Sequence, residues 1–260
     1  MIMKNKIVSH LPSGSAWGKN LYWLESIDST NNYAKKLARE GAPHGTVVGA
    51  DYQSAGRGRL GRSFLSPAGE GLYLSVILRP ALLPEEMMDL TCVAAVAACR
   101  AVEEAAGILP GIKWTNDLVV DNKKLGGILT ELSIKDDMVE YAVIGIGINC
   151  LQTQFPPELK DMAVSLKMLL SRPVQRERLA AAIIENLLRP IADKKAVMDA
   201  YRKNCVTIGR EISLLQGDRV FHGTALDVAE DGSLLVRMAD GKVKTVVSGE
   251  VSVRGMYGYL

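Results

Sequence analysis

The stretch DLVVDNKKLGGILTEL, residues 117–132, decides most of the fold. β-Forming residues stand on both sides of the pair Asp121-Asn122, which predicts two strands joined by a tight turn. The segment that follows, MVEYAVIGIGIN (138–149), is almost wholly apolar and predicts a largely buried strand. These residues therefore predict neighbouring strands of a β-sheet.

Other elements are predicted on both sides of this stretch. LYWLES predicts a strand around Leu21–Glu25, and Asp28-Ser29-Thr30 predicts a helix start, since a hydroxyl or carboxylate there can cap free N–H groups. Gly41 is a suitable stop for that helix. The remaining elements predicted before residue 205 are strands over 46–53, 71–79 and 112–114, and helices over 84–106 and 176–203.

The chain changes character after Cys205, where five short β segments follow one another. Their separators are Gln216-Gly217-Asp218, Asp231-Gly232 and Asp240-Gly241, and the two Asp-Gly pairs are strong hairpin signals. Short strands in so few residues predict a small barrel. We therefore expect an α+β fold with two domains. Residues 1–204 form the larger domain, a mixed sheet with helices packed on one side, and residues 205–260 form a small β-barrel.

The charge balance excludes a surface made as a whole for nucleic acid. The 260 residues include 31 Lys and Arg against 29 Asp and Glu, for a net charge of +2, so any basic site must be local. With 48% hydrophobic residues the chain can bury a full core. The four cysteines lack zinc or disulfide spacing, and no stretch is long enough to span a bilayer. We expect a cytoplasmic protein with reduced thiols.

The segment QSAGRGRLGR (53–62) alternates three glycines with three arginines directly after a predicted strand. Glycine permits close approach of the backbone to a ligand, and arginine supplies a fork of donors suited to carboxylate and phosphate. On the pattern alone, a loop that closes over a small anion and a solvated or nucleic-acid-contacting basic loop are equally good interpretations.

Three more segments combine polar side chains with glycine. In KWTND (113–117) and KKLGG (123–127), a Lys side chain can meet a carboxylate or phosphate, although an exposed hairpin tip has the same composition. The alternating glycines of IGIGIN (144–149) indicate either a ligand floor or close helix packing. The hydroxyls of DSTN (28–31) either cap a helix or face a pocket at its N-terminus.

Taken together and in order, these segments resemble the biotin–protein ligase family. The resemblance rests on DSTNN (28–32), QSAGRGRLGR (53–62), SPAGEGLYLS (66–75), KWTNDLVV (113–120), KKLGGILTEL (123–132) and IGIGINC (144–150). It implies an enzyme that uses ATP to convert biotin to biotinyl-5′-AMP and passes biotin to one lysine of a biotin carboxyl carrier domain of acetyl-CoA carboxylase. It also implies Mg²⁺ and a homodimer, with residues 1–204 as the catalytic domain that binds biotin and ATP and residues 205–260 as an SH3-like barrel.

The resemblance implies a role for each matching residue. Lys124, Arg59 and Asp117 would be catalytic, with Lys124 bridging the biotin carboxylate and the α-phosphate, and with Asp117 either a Mg²⁺ contact or the base for the incoming lysine. Biotin would be bound by Ser29, Thr30, Asn31, Gln53, Gly56, Arg57, Gly58, Arg59, Lys124, Gly127 and Gly147. The nucleotide would be bound by Arg57, Arg59, Arg62, Phe64, Asn116, Lys124 and Asn149.

Two residues depart from the family pattern. Phe64 stands where the family usually has Trp, and its ring would stack on adenine over less area. Thr115 replaces a usual Pro, so we expect a less rigid hairpin around Asn116. Some family members carry a DNA-binding domain before the catalytic domain. Too few residues precede Leu21 to build such a domain here. We therefore expect a ligase that does not bind DNA.

Two alternative functions stay open. Lipoate ligases and octanoyl transferases share a similar catalytic fold, and octanoyl transfer needs a cysteine nucleophile near a lysine; Cys150 follows the GIGIN strand. A nucleic-acid-binding protein that uses GRGRLGR as a phosphate clamp is the other alternative, and it would require further basic and aromatic clusters.

Overall fold

The computed structural model describes residues 2–13, 15, 17–80, 83–84, 87–188, 193–216, 219–247 and 249–257. Its strands are β1 (Leu21–Ile27), β2 (Thr46–Gln53), β3 (Gly71–Leu78), β4 (Gly111–Lys113), β5 (Asp117–Val120), β6 (Lys123–Lys135), β7 (Met138–Asn149), β8 (Glu211–Gln216), β9 (Arg219–Val228), β10 (Leu234–Met238), β11 (Val243–Val246) and β12 (Glu250–Val253). Its helices are α1 (Ile2–His10), α2 (Thr30–Arg39), α3 (Met87–Ala106), α4 (Leu166–Leu169), α5 (Arg176–Leu188) and α6 (Lys194–Asn204).

The first seven strands form one mixed sheet in the order β1-β2-β3-β7-β6-β5-β4. Only β1 and β2 run parallel, and every other neighbouring pair is antiparallel. The predicted turn between β5 and β6 is confirmed, since Asp121 and Asn122 have φ of 50° and 61°, the left-handed values that an Asn/Asp turn tolerates. The two longest strands, β6 and β7, pair in the interior of this sheet.

The two faces of the sheet are covered differently. Alternation along the strands points Val47, Val76 and Ile144 into the main core, where α3 and α5 pack. Helix α2 packs on the opposite face, over β2, β3 and β7, with its small residues Ala34 and Ala38 against the sheet. The α+β fold is confirmed. Its large helices share one side as predicted, whereas α2 lies on the other, where Thr30 and Asn31 at its start bond to Ser75 in the middle of β3.

Several predicted helix bounds differ from the observed ones. The region predicted as one helix over 176–203 contains α5 and α6, and the sequence places Pro190, which is unfavourable inside a helix, between them. The predicted start of the long helix at Pro84 precedes residues 85–86, which lie outside the described residues, and α3 is described from Met87. It ends at Ala106 as predicted, followed by Gly107 with φ of 75°. No described helix is long and apolar enough to cross a membrane.

The five C-terminal strands form a second, antiparallel sheet in the order β11-β10-β9-β8-β12. Both predicted Asp-Gly hairpins are confirmed, with φ of 82° at Gly232 and at Gly241. The predicted turn at Gln216-Gly217-Asp218 includes two residues outside the described ones. Closure of this sheet into an SH3-like barrel stays a prediction.

The two sheets share a continuous core around Trp114. Its indole N–H donates to Gly232 O at 2.9 Å, and the hydroxyl of Thr207 accepts from its backbone N–H at 2.9 Å. Ile112 of the first sheet and Ile212 of the second are both fully buried in the same apolar cluster. The domain boundary after residue 204 stays a prediction, and it coincides with the end of α6.

We expect Trp114→Phe to lower the free energy of unfolding by about 2 kcal/mol or more, because it empties core volume and leaves Gly232 O without its donor. Urea unfolding followed by circular dichroism measures this change. The control is Tyr52→Phe, which alters an exposed aromatic side chain. Equal stability of Trp114→Phe and the unaltered chain would contradict this role of Trp114.

Candidate active site

A cavity of about 530 Å³ lies on the α2 face of the large sheet. The Gly/Arg loop, which is the segment 54–64 after β2, covers it from one side, and the second sheet closes one end. The predicted site residues that line it are Ser29, Thr30, Asn31, Gln53, Arg57, Gly58, Arg59, Arg62, Phe64, Asn116, Asp117, Lys124, Gly127, Gly147 and Asn149. The structure thus brings together every predicted site residue except Gly56.

The floor of the cavity is a row of residues across four neighbouring strands. Tyr73, Gly147, Gly127 and Asp117 lie directly opposite one another on β3, β7, β6 and β5, so they share one face of the sheet. The two glycines leave the middle of this row without side chains. A trough in the sheet surface therefore runs between Tyr73 and Asp117, with the ring of Phe64 over Gly147, and it is the candidate for the ligand floor that the alternating glycines indicated.

One end of the trough carries neutral hydrogen-bonding groups at the start of α2. The backbone N–H of Thr30 donates to Gln53 Oε1 at 2.9 Å, and the hydroxyl of Ser75 lies 2.6 Å from Asn31 Oδ1 and 2.8 Å from Thr30 Oγ1. Ser29 is the N-cap residue but makes no side-chain capping bond. The first free N–H of α2 is thus satisfied by Gln53 rather than by the predicted cap, and Ser29 lines the cavity.

Asn31 is held so tightly that the sheet must have glycine beneath it. A Cβ atom at position 145 would lie 2.1 Å from Asn31 Oδ1, so only Gly145 leaves room for this amide. The Asn31 amide donates to Glu131 Oε2 at 2.9 Å. The polar end of the trough therefore has a fixed set of donors and acceptors.

Glu131 joins α2 to the Gly/Arg loop. Lys35 Nζ lies 2.7 Å from Glu131 Oε1, and the Arg57 guanidinium lies 3.6 Å from the same oxygen while donating to Asn32 at 2.9 Å. Burial alone would raise the pKa of Glu131, but Lys35, Asn31 and Arg57 together hold it below its ordinary value. Arg57, predicted to bind ligand, is thus also the anchor of its loop.

The other end of the trough is charged and depends on a bulge in β6. Asp117 pairs with Gly127 and Val119 pairs with Lys124, with a register shift between them. The extra residue brings Lys124 to the same face as Gly127, although three positions separate them. Lys124 Nζ then reaches Asp117 Oδ1 at 2.7 Å, and a side chain at position 127 would meet both groups at about 3.3 Å.

Asp117 is bonded through both of its carboxylate oxygens. The hydroxyl of Tyr257, which follows the last strand of the second sheet, donates to Asp117 Oδ2 at 2.6 Å. Burial favours the neutral acid, yet the charge of Lys124 and the bonds from Lys124 and Tyr257 outweigh it, so the pKa of Asp117 lies below its ordinary value. Asp117 therefore stays ionised beside the Lys124 ammonium.

Arg59 connects the Gly/Arg loop to both sheets. Its guanidinium donates to Asn116 Oδ1 at 3.0 Å and to Gly249 O at 3.0 Å. The Asn116 amide in turn donates to Ile128 O at 2.8 Å, so Asn116 is held on both sides although Thr115 replaces the family's proline. The loop lies across the cavity, with Arg57 at the α2 end and with Arg59 and Arg62 beside the charged end.

Gly56 and Phe64 shape the loop. Gly56 does not line the cavity; a Cβ atom there would lie 2.4 Å from Phe64 O, so glycine permits the loop to fold back on itself. The Phe64 ring lies over Gly147, where a Cβ atom would come within 2.7 Å of it, and meets Tyr73 edge to face. The space above Gly147 is thus occupied by Phe64 in this arrangement.

Sequence reasoning missed the walls of the cavity. Phe155, Leu159, Met162 and Ala163, after β7, form an apolar wall, and their spacing just beyond the GIGIN strand was the available signal. Asn149 ties this wall to β6 by donating to the carbonyls of Lys124 and Val164. The second sheet and its tail add residues that no local pattern indicated: Leu215, Gly249, Val251 and Tyr257.

The predicted Mg²⁺ contact at Asp117 does not fit the surrounding residues. Both carboxylate oxygens already accept hydrogen bonds, and two ammonium groups, those of Lys124 and Lys113, add positive charge around it. Among the described residues, no group of three or more His, Cys, Asp or Glu side chains could hold a metal ion. Asp117 instead serves as a counter-charge for Lys124.

Comparison with known proteins identifies the family and the fold. The model of the biotin/lipoate A/B protein ligase family matches residues 23–149, and that of the biotin protein ligase C-terminal domain matches residues 207–254. The bifunctional ligase/repressor BirA of Bacillus subtilis (strain 168) is 36% identical over 250 residues, which cover 91% of this chain and 74% of the relative.

The chain belongs to the biotin protein ligase family. The biotin–[acetyl-CoA-carboxylase] ligase of Mycobacterium tuberculosis is 31% identical over 92% of this chain and 90% of its own length. The structure of the Aquifex aeolicus biotin protein ligase in complex with biotin and ATP aligns with a TM-score of 0.74 and 34% identity, covering 91% of this chain and 99% of that one. The resemblance to this family that the six short motifs indicated is thus confirmed. The two matching family models cover both the catalytic and the C-terminal domain.

Glu131→Gln should lower the free energy of unfolding at neutral pH by about 1–2 kcal/mol, because it removes the charge shared by Lys35, Asn31 and Arg57. The folded-state pKa lies below the ordinary value of 4.5. The stabilisation is therefore complete above pH 4.5 and is lost as pH falls through the folded pKa.

The difference between Glu131→Gln and the unaltered chain should accordingly shrink as the pH falls below that value. Urea unfolding at neutral and acidic pH measures it, with Glu25→Gln on exposed β1 as the control. A difference that does not change with pH would contradict the assigned charge state.

Proposed function

We propose that this chain activates biotin with ATP to biotinyl-5′-AMP and transfers the biotin to a lysine of a biotin carboxyl carrier domain of acetyl-CoA carboxylase. The supporting relatives are biotin ligases in name, and one related structure holds biotin and ATP. The carboxylase partner is proposed from the relatives' names. Homodimerisation and a cytoplasmic location stay predictions.

The observation that carries the proposal is the polarity of the cavity from end to end. Neutral amide and hydroxyl groups at Asn31, Thr30 and Gln53 suit the uncharged ureido ring of biotin, which both donates and accepts hydrogen bonds. Lys124, Arg59 and Arg62 at the opposite end suit a carboxylate and phosphates. The trough runs from Gly145, beneath Asn31, along two residues of β7 to Gly147 and then across two strand spacings to Asp117. Its length is about 12 Å, which suits an aliphatic chain.

In the first step a carboxylate oxygen of biotin attacks the α-phosphorus of ATP. A bond forms between that oxygen and phosphorus, the bond to the pyrophosphate oxygen breaks, and pyrophosphate leaves. Both reactants are anions, so the protein's task is to neutralise charge and align the atoms. Lys124 would place its ammonium between carboxylate and α-phosphate, and Asp117 would hold that ammonium in place through its ion pair.

In the second step the amine of the carrier lysine attacks the acyl carbon of the adenylate. An amide bond forms, the acyl–phosphate bond breaks, AMP leaves and the amine loses a proton. Asp117 is not well suited to take that proton while Lys124 and Tyr257 occupy both of its oxygens. We propose that Asp117 positions Lys124, and that Mg²⁺ arrives as the counter-ion of the triphosphate rather than on Asp117.

The octanoyl-transferase alternative requires a reactive thiol, and Cys150 does not provide one. Its side chain is fully buried, and burial raises the pKa of this thiol to about 12. A thiol that stays protonated at neutral pH is a poor nucleophile. The cavity lining contains no cysteine among the described residues.

ATP–pyrophosphate exchange tests the proposal directly. We expect the chain to catalyse exchange when biotin is added. We expect no exchange when lipoate replaces biotin or when no acid is added. Exchange that requires lipoate and does not occur with biotin would contradict the proposal. Absence of exchange with both acids would contradict it as well. A second assay, incorporation of biotin into an isolated carrier domain, tests the transfer step with the same preparation.

Lys124→Ala should reduce biotinyl-AMP formation by about 100-fold or more, because it removes the charge that stabilises the transition state. Single-turnover formation of the adenylate measures this loss. Lys123→Ala is the matched control, since Lys123 is the neighbouring lysine and does not line the cavity. An unchanged adenylation rate in Lys124→Ala would refute the role given to this ammonium.

Arg59→Ala should accelerate release of bound biotinyl-AMP by about tenfold, because the loop loses its bonds to Asn116 and to Gly249. Dissociation of labelled adenylate, chased with unlabelled adenylate, reports the rate. Arg100→Ala, on the exposed side of α3, serves as control. If Arg59→Ala retains the adenylate as long as the unaltered chain does, the loop is not the cover of the site.

A further inference from the structure

The tail after the second sheet enters the active site. Tyr257 follows β12, yet its hydroxyl lies 2.6 Å from Asp117 Oδ2 on β5 of the first sheet. The opposite oxygen of the same carboxylate lies 2.7 Å from Lys124 Nζ. Lys124, Asp117 and Tyr257 thus form a continuous chain of hydrogen bonds that ends at the ammonium proposed to meet the reacting atoms.

A second lysine holds the Tyr257 ring in place. The ammonium of Lys113 lies 4.0 Å from the ring centroid and donates to the backbone oxygen of Tyr257 at 3.3 Å. The Lys113 residue is only 6% exposed, so this cation–π contact is largely shielded from water. The ring and the hydroxyl of Tyr257 therefore have separate partners, which allows the two to be tested apart.

We infer that Tyr257 is a positioning residue for biotin adenylation, which acts through Asp117 to set the place of the Lys124 ammonium; this inference rests on the proposed function. The hydroxyl occupies one carboxylate oxygen and leaves only the other for Lys124. The ammonium is then held at one edge of Asp117, on the side of the trough. Without the hydroxyl, Asp117 can rotate or bind Lys124 through both oxygens, and the ammonium shifts from the reacting atoms.

The charges around Asp117 decide the direction of the accompanying pH effect. Lys124 on β6, Lys113 on β4 and Tyr257 contact or face the carboxylate, and the loop arginines Arg59 and Arg62 lie beyond them. Burial together with the nearby carboxylate raises the pKa of Tyr257, so the hydroxyl remains a donor at neutral pH. Its bond lowers the pKa of Asp117, and loss of that bond must raise it.

Tyr257→Phe removes the hydroxyl and keeps the ring over Lys113. In biotin-dependent ATP–pyrophosphate exchange we expect kcat to fall about tenfold, with little change in the KM for biotin and an unchanged melting temperature. The acidic limb of the pH–rate profile should move to higher pH, because Asp117 becomes protonated more easily. Tyr22→Phe, an exposed tyrosine on β1, is the matched control.

A double-mutant comparison separates positioning from a structural role. In an Asp117→Asn background, the added Tyr257→Phe change should have almost no further effect on kcat, because the pathway through the carboxylate is already lost. A full tenfold loss in that background would overturn the inference. So would unaltered exchange and an unaltered acidic limb in Tyr257→Phe alone.

The unaltered chain distinguishes this inference from the proposed function. If it exchanges pyrophosphate with biotin while Tyr257→Phe is indistinguishable from it, the inference alone fails. If the unaltered chain shows no biotin-dependent exchange, the proposed function fails and the inference fails with it.

Discussion

The site depends on a constraint in the middle of the large sheet. There, β6 and β7 must carry packed apolar side chains on one face and glycines on the other. The packed face carries Ile144, Ile146 and Ile148, all within the main core. The opposite face has Gly145, Gly147 and, on the neighbouring strand, Gly127. The alternation of side chains along a strand makes both outcomes possible in the same few residues. The core stabilises the sheet, and the glycine face leaves room for Asn31, Phe64 and the Lys124–Asp117 pair.

Electrostatics then divide the cavity. At the α2 end, the charged groups are Glu131 and its partners Lys35 and Arg57, of which Arg57 lines the cavity beside the neutral groups. At the β5 end, Asp117 is the only acid among several cations in the cavity lining that the structure describes. The ionised carboxylate holds the neighbouring ammonium in place, and excess positive charge remains for anionic ligands. The near-zero net charge of the chain is compatible with this, since the concentration of charge is local.

The second sheet is part of the site rather than an appendage. Gly249 accepts a hydrogen bond from Arg59, and Tyr257 donates one to Asp117. Trp114 precedes the Thr115-Asn116-Asp117 run and packs into the joint between the sheets through Gly232 and Thr207. The same short segment thus connects the joint to the charged end of the cavity, so a change in how the sheets pack would reach Asn116 and Asp117.

The sequence by itself determined the strands around the glycine segments, the turn at Asp121-Asn122, the family, and a set of site residues of which all but Gly56 line the cavity, because those features follow from local periodicity, turn chemistry and motif order. It also predicted the C-terminal hairpins.

The tertiary structure decided what depends on distant contacts: the placement of α2 opposite the larger helices, the role of Gly56 inside its loop, the anchoring of Arg57 by Glu131, and the bulge that brings Lys124 beside Asp117. Tyr257 lies 140 residues along the chain from Asp117. No local pattern can indicate such a contact, because it exists only once both sheets have folded and packed together.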